Sequence, residues 1–287
     1  MPKVAAGGIE LYYETYGEGP PLLLVPGLGG VASYWRPQID AFSEQFKVIV
    51  HDHRGTGRST RSEIAYSVDQ MTSDLLNLMD ALGIERAHLV GHSTGGAIGQ
   101  TMAIERPDRI DRLVLYASWT SCDPFMRRVF ETRKTLLLES GVESYIKATP
   151  VFLFPDWWIN QNAESFAKAD LDLIADFPSA KIAASRCDAV MNFDRVDQLG
   201  DIHAPTLVIC AADDFLTPAY FSRDLAERIA NTELNILPRG GHCVSQTLPE
   251  SFNEAILDFL EARPSGALSA KPPADVYRAS TGRLPGC

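Results

Sequence analysis

The sequence has few cysteines and no closely spaced cysteine pair. Its five cysteines are Cys122, Cys187, Cys210, Cys243 and Cys287, an odd number with wide spacing, which argues against a disulfide framework and against a CxxC motif. No apolar stretch approaches the roughly 20 residues that a membrane-spanning helix needs. The first residues also lack the apolar run of a signal peptide. We therefore expect a cytoplasmic protein without a membrane partner.

Clusters of lysine and arginine are missing as well. The formal net charge is −11, and a chain of that charge without a basic patch repels nucleic acids. Apolar residues make up 45% of the 287 residues, enough for a substantial core. The composition thus favours a globular protein whose partner is a small molecule, not a nucleic acid.

Short apolar runs that end in turn residues recur along the chain and indicate buried strands. Between several of them lie helical patterns, the clearest at residues 68–82, where apolar residues repeat at spacings of three and four. This alternation predicts an α/β fold with a mostly parallel central sheet and helices on both faces. The predicted strands are Ile9–Tyr16, Leu22–Val25, Lys47–His51, His88–Val90, Leu113–Tyr116, Thr206–Ala211 and Leu234–Leu237.

The alternation stops between residues 119 and 195, which are helix-like and rich in aromatic residues. We interpret this stretch as a helical cap inserted into a core formed by residues 1–118 and 196–263. Residues 264–287 are rich in proline, serine, glycine and alanine, a composition typical of a flexible tail. A homodimer in which this tail is a packing arm is our hypothesis for the assembly.

The pentapeptide at residues 91–95, Gly-His-Ser-Thr-Gly, is the strongest chemical signal in the sequence. A chain of this length contains a GxSxG by chance about once in ten, given average glycine and serine contents. Here the motif follows a predicted strand and begins a predicted helix, as a nucleophile elbow requires. We therefore predict that Ser93 is a nucleophile, with its hydroxyl at the N-terminus of that helix.

A serine nucleophile needs a base and a carboxylate that orients the base. His242 follows Gly240 and Gly241 in the loop after the last predicted strand, from which it can reach Ser93. Asp213 and Asp214 both follow the predicted strand that ends near residue 211. Position along the chain alone leaves the choice between these two carboxylates open.

Acyl transfer also needs two N–H donors for the oxyanion of the tetrahedral intermediate. We expect the backbone N–H groups of Thr94, next to the nucleophile, and of Leu28, in the glycine-rich turn after residue 25. Ligand pockets are lined mainly by apolar and aromatic groups. On that basis the predicted substrate contacts are Gly27, Trp35, Trp119, Phe152, Phe154, Trp158 and Cys243.

The remaining histidines give weaker signals. His51 and His53 form an HxH that could be half of a metal site, but no further ligand stands at a suitable spacing nearby. We therefore expect no metal and no cofactor. His92, beside the nucleophile, is expected to pack under the elbow.

With these motifs in order, residues 8–262 resemble the α/β-hydrolase family. The resemblance implies that Asp214 is the acid, because the family usually places it four residues before a proline, here Pro218. The order of serine, aspartate and histidine along the chain also matches the family. The motifs are Pro26-Gly27-Leu28-Gly29-Gly30, Asp52-x-Arg54-Gly55-x-Gly57-x-Ser59, Gly91-x-Ser93-x-Gly95, Asp214-x-x-x-Pro218 and Gly241-His242.

Residues 33–38, 150–157 and 209–214 further resemble the aminoacrylate hydrolases of pyrimidine utilisation. Some members of that group lack the elbow serine, whereas Ser93 is present here. Our first hypothesis is thus a carboxylic ester hydrolase that cleaves a small ester or lactone through an acyl-enzyme. The alternatives are an aminoacrylate-type or amide/carbamate C–N hydrolase, and a ligand-binding receptor on a hydrolase scaffold.

Overall fold

The computed structural model describes residues 2–261 and contains one eight-stranded sheet with the order β1-β2-β4-β3-β5-β6-β7-β8. β2 is antiparallel to both β1 and β4, and the remaining neighbours are parallel. This confirms the predicted α/β architecture, to which the structure adds β1. The strands are β1 Lys3–Ala6, β2 Ile9–Tyr16, β3 Pro21–Val25, β4 Lys47–His51, β5 Ala87–His92, β6 Ile110–Tyr116, β7 Thr206–Ala211 and β8 Thr232–Leu237.

Eleven α-helices lie within residues 2–261. They are α1 Arg36–Ser43, α2 Val68–Ala81, α3 Thr94–Glu105, α4 Pro124–Glu139, α5 Gly141–Leu153, α6 Asp156–Gln161, α7 Ala163–Ala175, α8 Ala180–Met191, α9 Ala219–Arg228, α10 Val244–Thr247 and α11 Pro249–Glu261. Short 3₁₀ helices occupy Ala32–Trp35, Pro107–Arg109 and Val196–Asp201. None of the helices in the described range is long and apolar enough to cross a bilayer.

The best-predicted helix, α2, shows why local sequence and fold agree. The Ser67 side chain accepts a hydrogen bond from the Gln70 backbone N–H at 3.0 Å and caps the first turn. Met71, Leu75 and Leu78 then place buried side chains on one face of the helix. Both signals lie within or next to the helix. The apolar spacing alone predicted residues 68–82, one residue longer than the observed helix.

The sheet separates two apolar layers because side chains alternate along each strand. In β3, Leu23 and Val25 belong to the layer that α2 and α3 cover, and Leu22 and Leu24 belong to the layer that α1 and α11 cover. All four side chains are essentially fully buried. Burial on both faces explains why the central strands are continuous apolar runs.

Helices α4 to α8 lie between β6 and β7, inside the range predicted as a cap. The only pairing of β type there is an isolated bridge between Ser121 and Asp194, at the base of the segment within the described residues. Several side chains of α4 and α8 pack into the α2–α3 layer. The division of the chain into core and cap stays a prediction, and the predicted tail at 264–287 lies outside the described residues.

Candidate active site

Ser93 occupies a strained turn between β5 and α3. Its backbone has φ 53° and ψ −114°, a combination that non-glycine residues rarely adopt. The Ser93 N–H donates to the Tyr116 carbonyl of β6 at 2.8 Å, and this bond holds the turn at the strand end. A side chain at Gly91 would overlap Gly95, and one at Gly95 would overlap the Val25 carbonyl. The glycines therefore allow β5 and α3 to approach closely enough to form the elbow.

His242 lies in the loop after β8, and its imidazole is buried beside the elbow. Its Nδ1 lies 2.9 Å from Asp214 Oδ2. Its backbone carbonyl accepts hydrogen bonds from the Tyr116 hydroxyl at 2.9 Å and from His92 Nε2 at 3.1 Å. Side chain and backbone are both anchored, so the ring is held in one orientation with Nε2 directed away from Asp214.

Asp214 accepts a full set of hydrogen bonds. Its Oδ1 receives the backbone N–H groups of Leu216 at 2.8 Å and Thr217 at 2.9 Å. Its Oδ2 receives the Thr217 hydroxyl at 2.8 Å as well as His242 Nδ1. Four donors stabilise the ionised carboxylate, so the group suits the role of a fixed acceptor that orients an imidazole.

Asp213 makes a different contact. Its Oδ1 accepts the Gly241 backbone N–H at 2.8 Å, which ties the loop of β7 to the loop that carries His242. It forms no hydrogen bond with the His242 ring. The geometry thus favours Asp214 over Asp213 as the partner of the imidazole.

Ser93 and His242 both line the same cavity. Neither Ser93 Oγ nor His242 Nε2 forms a hydrogen bond with another atom of residues 2–261. Hydrogen bonds between a nucleophile and its base are often long in ligand-free sites and shorten when substrate binds. Ser93 Oγ and His242 Nε2 are therefore both available to a molecule in the cavity.

The N–H group of Leu28 belongs to the turn after β3, and that of Thr94 to the first residue of α3. Neither donates a hydrogen bond within the described residues. Arg186 of α8 fixes the turn that carries Leu28: its Nη2 and Nε donate to the Leu28 carbonyl at 2.9 and 3.2 Å. Its Nη1 donates to the Arg54 carbonyl at 2.9 Å, and burial lowers the pKa of Arg186 to about 10.

The cavity has a volume of about 430 Å³ and extends from the elbow under helices α4 to α8. Three of the seven sequence-predicted substrate contacts line it, Gly27, Phe154 and Cys243, as does Leu28, which was predicted as an oxyanion donor. Burial raises the pKa of the Cys243 thiol to about 12, so this side chain is a neutral wall group. The volume is within the usual range for ligand pockets.

The other four predicted substrate contacts are not among the residues that line the cavity. Trp35 is fully buried in the layer under α1 and α11, and Trp119 packs edge-on against Phe193, with ring centroids 5.8 Å apart. Phe152 of α5 packs against Phe215, with ring centroids 6.2 Å apart. Trp158 of α6 packs against Trp157. Aromatic content did not distinguish packing between helices from contact with a ligand, because a large side chain is buried equally well in a core or in a pocket.

Sequence reasoning missed several lining residues as substrate contacts. Their signal was helical spacing: Phe130 and Arg133 are three residues apart on α4, and Tyr145 and Thr149 are four apart on α5, so each pair shares a face. The missed residues with large side chains include Tyr34, Phe130, Arg133, Tyr145, Phe166, Phe177 and Arg186.

The histidines around the elbow are neutral and structural in their contacts. His92 stacks on Tyr34 with centroids 4.7 Å apart, and burial holds its pKa well below the usual value. Burial also lowers the pKa of His51 to about 4 and that of His53 well below its usual range. Within residues 2–261, no group of three His, Cys, Asp or Glu side chains is arranged to hold a metal ion.

Comparison with known proteins identifies relatives in sequence and in fold. The family model described as the alpha/beta hydrolase fold matches residues 20–246. The chain is 41% identical over 259 residues to a protein of Azorhizobium caulinodans named "Putative carbamate hydrolase RutD", covering 90% of this chain and 98% of that protein. It is 43% identical over 256 residues to a protein of the same name from Caulobacter sp. strain K31, covering 87% and 95%.

Among solved structures, the enol-lactonase from Burkholderia xenovorans LB400 has a similar fold. The TM-score is 0.84 and the sequence identity is 29%, over 91% of this chain and 100% of that one.

Proposed function

Because this chain belongs to the α/β-hydrolase fold family, we propose that it is a serine hydrolase that cleaves a small carbamate or amide through an acyl-enzyme on Ser93. The observation that carries the proposal is the buried hydrogen bond between His242 and Asp214, at 2.9 Å, beside a strained serine that faces the same cavity. In the α/β-hydrolase family such a set performs acyl transfer.

In the first half of the reaction, Ser93 Oγ attacks the carbonyl carbon of the substrate while His242 Nε2 takes the hydroxyl proton. The carbonyl oxygen becomes an oxyanion and accepts the N–H groups of Leu28 and Thr94. Asp214 stabilises the imidazolium. His242 then gives its proton to the leaving nitrogen, the C–N bond breaks, and the amine departs from the acyl-enzyme.

In the second half, a water molecule takes the place of the amine. His242 Nε2 removes one proton from the water, whose oxygen attacks the acyl carbon and forms a second oxyanion. When that intermediate collapses, His242 returns the proton to Ser93 Oγ. The acid is released and the enzyme is restored, so the net reaction consumes one water for each C–N bond.

The names of the relatives support a C–N bond as the scissile bond. Relatives of about 40% identity carry the carbamate hydrolase name and match this chain over about nine tenths of its length. The cavity bears on the size of the substrate: at about 430 Å³ it is larger than the free carbamate ion requires. We therefore propose a substituted carbamate or amide whose acyl part extends under helices α4 to α8.

Ester or lactone hydrolysis is the second candidate. The structurally similar Burkholderia xenovorans protein is titled an enol-lactonase, and the same acyl-enzyme chemistry cleaves C–O bonds, which have the better leaving group. A ligand-binding receptor is the third candidate, and its signature is tight binding of one ligand with negligible turnover.

A matched panel separates these functions. Wild type and Ser93→Ala are compared on an amide, a carbamate and an ester that share one acyl group, with a lactone of similar size. We expect turnover of the carbamate or amide, and a loss of at least 10³-fold in kcat with Ser93→Ala. Turnover confined to the ester and lactone selects the second candidate, and full activity of the alanine variant refutes the acyl-enzyme.

A further inference from the structure

Arg133 is a buried cation in the wall of the cavity. It projects from α4, retains 5% of its accessible surface and lines the same cavity as Ser93 and His242. Its guanidinium carbon lies 5.3 Å from the centroid of Phe130, 5.4 Å from Tyr145 and 5.7 Å from Phe152. The aromatic rings hold the guanidinium in place but supply no counter-charge.

The hydrogen bonds of Arg133 are incomplete. Nη2 donates to the Tyr145 hydroxyl at 3.1 Å, while Nε is buried without a partner. No carboxylate of residues 2–261 lies within ion-pair distance of the guanidinium. A buried, unpaired charge is costly, and such groups normally have a carboxylate or a full set of acceptors.

The second arginine of the cavity, Arg186, shows the contrast. Its N–H groups donate to the carbonyls of Leu28 and Arg54, so its donors are engaged by the protein. Arg133 has most of its five donors unused, in a fork that matches a carboxylate. The missing acceptor of Arg133 is therefore best supplied by a ligand in the cavity.

We propose that Arg133 binds a carboxylate of the substrate, so that the natural substrate is an acyl compound with a carboxylate in addition to its scissile carbonyl. This inference rests on the proposed function at Ser93. Arg133, Ser93 and His242 line one cavity of about 430 Å³, so a short dicarboxylic acyl chain can place one carboxylate at Arg133 and its scissile carbonyl at Ser93.

Two carboxylates also line the cavity but leave Arg133 available. Asp176 is 70% exposed at its side chain and pairs with Arg61, with Nη2 and Oδ1 2.6 Å apart. Asp170, on α7, is only half-buried and makes no ion pair with Arg133. These acidic groups disfavour an anion near themselves, which directs a substrate carboxylate to the buried end at Arg133.

The test compares two methyl esters of similar shape, one anionic and one neutral: monomethyl succinate and methyl levulinate. Wild type should prefer the anion. In Arg133→Met, kcat/KM for monomethyl succinate should fall about 100-fold, mainly through KM, because a charge-assisted contact is lost. The levulinate ester should lose less than about fivefold. Arg133→Lys keeps the charge without the fork and should restore part of the preference.

Arg128→Met is the matched control, because Arg128 is exposed on the same helix. It should leave both substrates within about twofold, as surface substitutions generally do. An equal loss on both esters in Arg133→Met, with no rescue by lysine, would mean that Arg133 only packs the helices, and the proposal would be overturned.

Binding separates this proposal from the proposed function. Calorimetry with Ser93→Ala should detect monomethyl succinate, and the added Arg133→Met change should abolish that binding. Such a result supports the carboxylate site even if the wild type hydrolyses neither ester. Equal binding by the single and double variants refutes the site while leaving hydrolysis at Ser93 intact.

Discussion

The adjacent carboxylates Asp213 and Asp214 offer a controlled test of the proposed mechanism. Both follow β7, yet only Asp214 contacts the His242 ring. We predict that Asp214→Asn lowers kcat about 10⁴-fold, as the equivalent change does in other serine hydrolases with this set of residues. That loss corresponds to about 5.5 kcal/mol of transition-state stabilisation.

The magnitude follows from the hydrogen bonds of Asp214. Its Oδ1 accepts two backbone N–H groups, from Leu216 and Thr217, so the single carbonyl oxygen of an asparagine must occupy that position. The amide NH₂ then takes the position of Oδ2 and faces His242 Nδ1 as a donor. His242 must accept at Nδ1 and carry its proton on Nε2, so it cannot take the proton of Ser93.

Asp213→Asn should behave differently. Asparagine can still accept the Gly241 backbone N–H through its carbonyl oxygen, so we expect kcat within about threefold of wild type. The assay is steady-state hydrolysis of one ester and one amide, with thermal unfolding to verify that both variants fold. An equal loss in the two variants, or more than a tenth of wild-type kcat in Asp214→Asn, would refute the assignment.

Three further predictions concern the surroundings of the site. The buried, neutral His51 has a pKa of about 4 in the fold, below the usual 6.5, so it adds stability above pH 6.5 that is lost as the pH falls toward 4. The free energy of unfolding should then drop by up to about 1.4 kcal/mol per pH unit for this one group. Urea titrations at several pH values should show that this free energy depends less steeply on pH in His51→Gln than in wild type, and an unchanged dependence would contradict the prediction. Arg186→Met leaves the Leu28 carbonyl without its two side-chain donors. If the Leu28 N–H then moves, kcat on a neutral ester should fall by about 10- to 100-fold, because one proposed oxyanion donor is displaced. An unchanged kcat would show that the turn stays in place without Arg186. Gly95→Ala introduces a Cβ that overlaps the Val25 carbonyl. Calorimetry should show that the free energy of unfolding falls by about 1–3 kcal/mol. An unchanged stability would mean that the elbow can widen.

Local patterns predicted the elements of the fold because they depend on neighbours in sequence. The apolar run of β7 was predicted with its observed bounds, Thr206–Ala211, since burial on both faces leaves one unbroken pattern. The antiparallel strand β1, Lys3–Ala6, was not predicted because it is only four residues long, lies at the edge of the sheet and buries only Ala6.

The residues around the cavity were harder to predict because they depend on how helices pack. Trp35 and Phe154 are both large aromatic residues, yet one lies in the core and the other lines the cavity. Nothing in the local sequence separates these two forms of burial. Arg133 is likewise typical of an exposed helix residue in the local sequence. Only the packing of α4 against α5 brings the rings of Phe130, Tyr145 and Phe152 around its guanidinium.

The central claim, a covalent intermediate on Ser93, can be tested most directly with a substrate whose acyl-enzyme hydrolyses slowly. Wild type and Ser93→Ala are treated with p-nitrophenyl dimethylcarbamate, quenched in acid and analysed by intact-protein and peptide mass spectrometry. The proposed mechanism predicts one dimethylcarbamoyl group per chain on the peptide that contains Ser93, release of one equivalent of nitrophenol, and no adduct in Ser93→Ala. Turnover without an adduct, or the same adduct on Cys243 in both proteins, would contradict it.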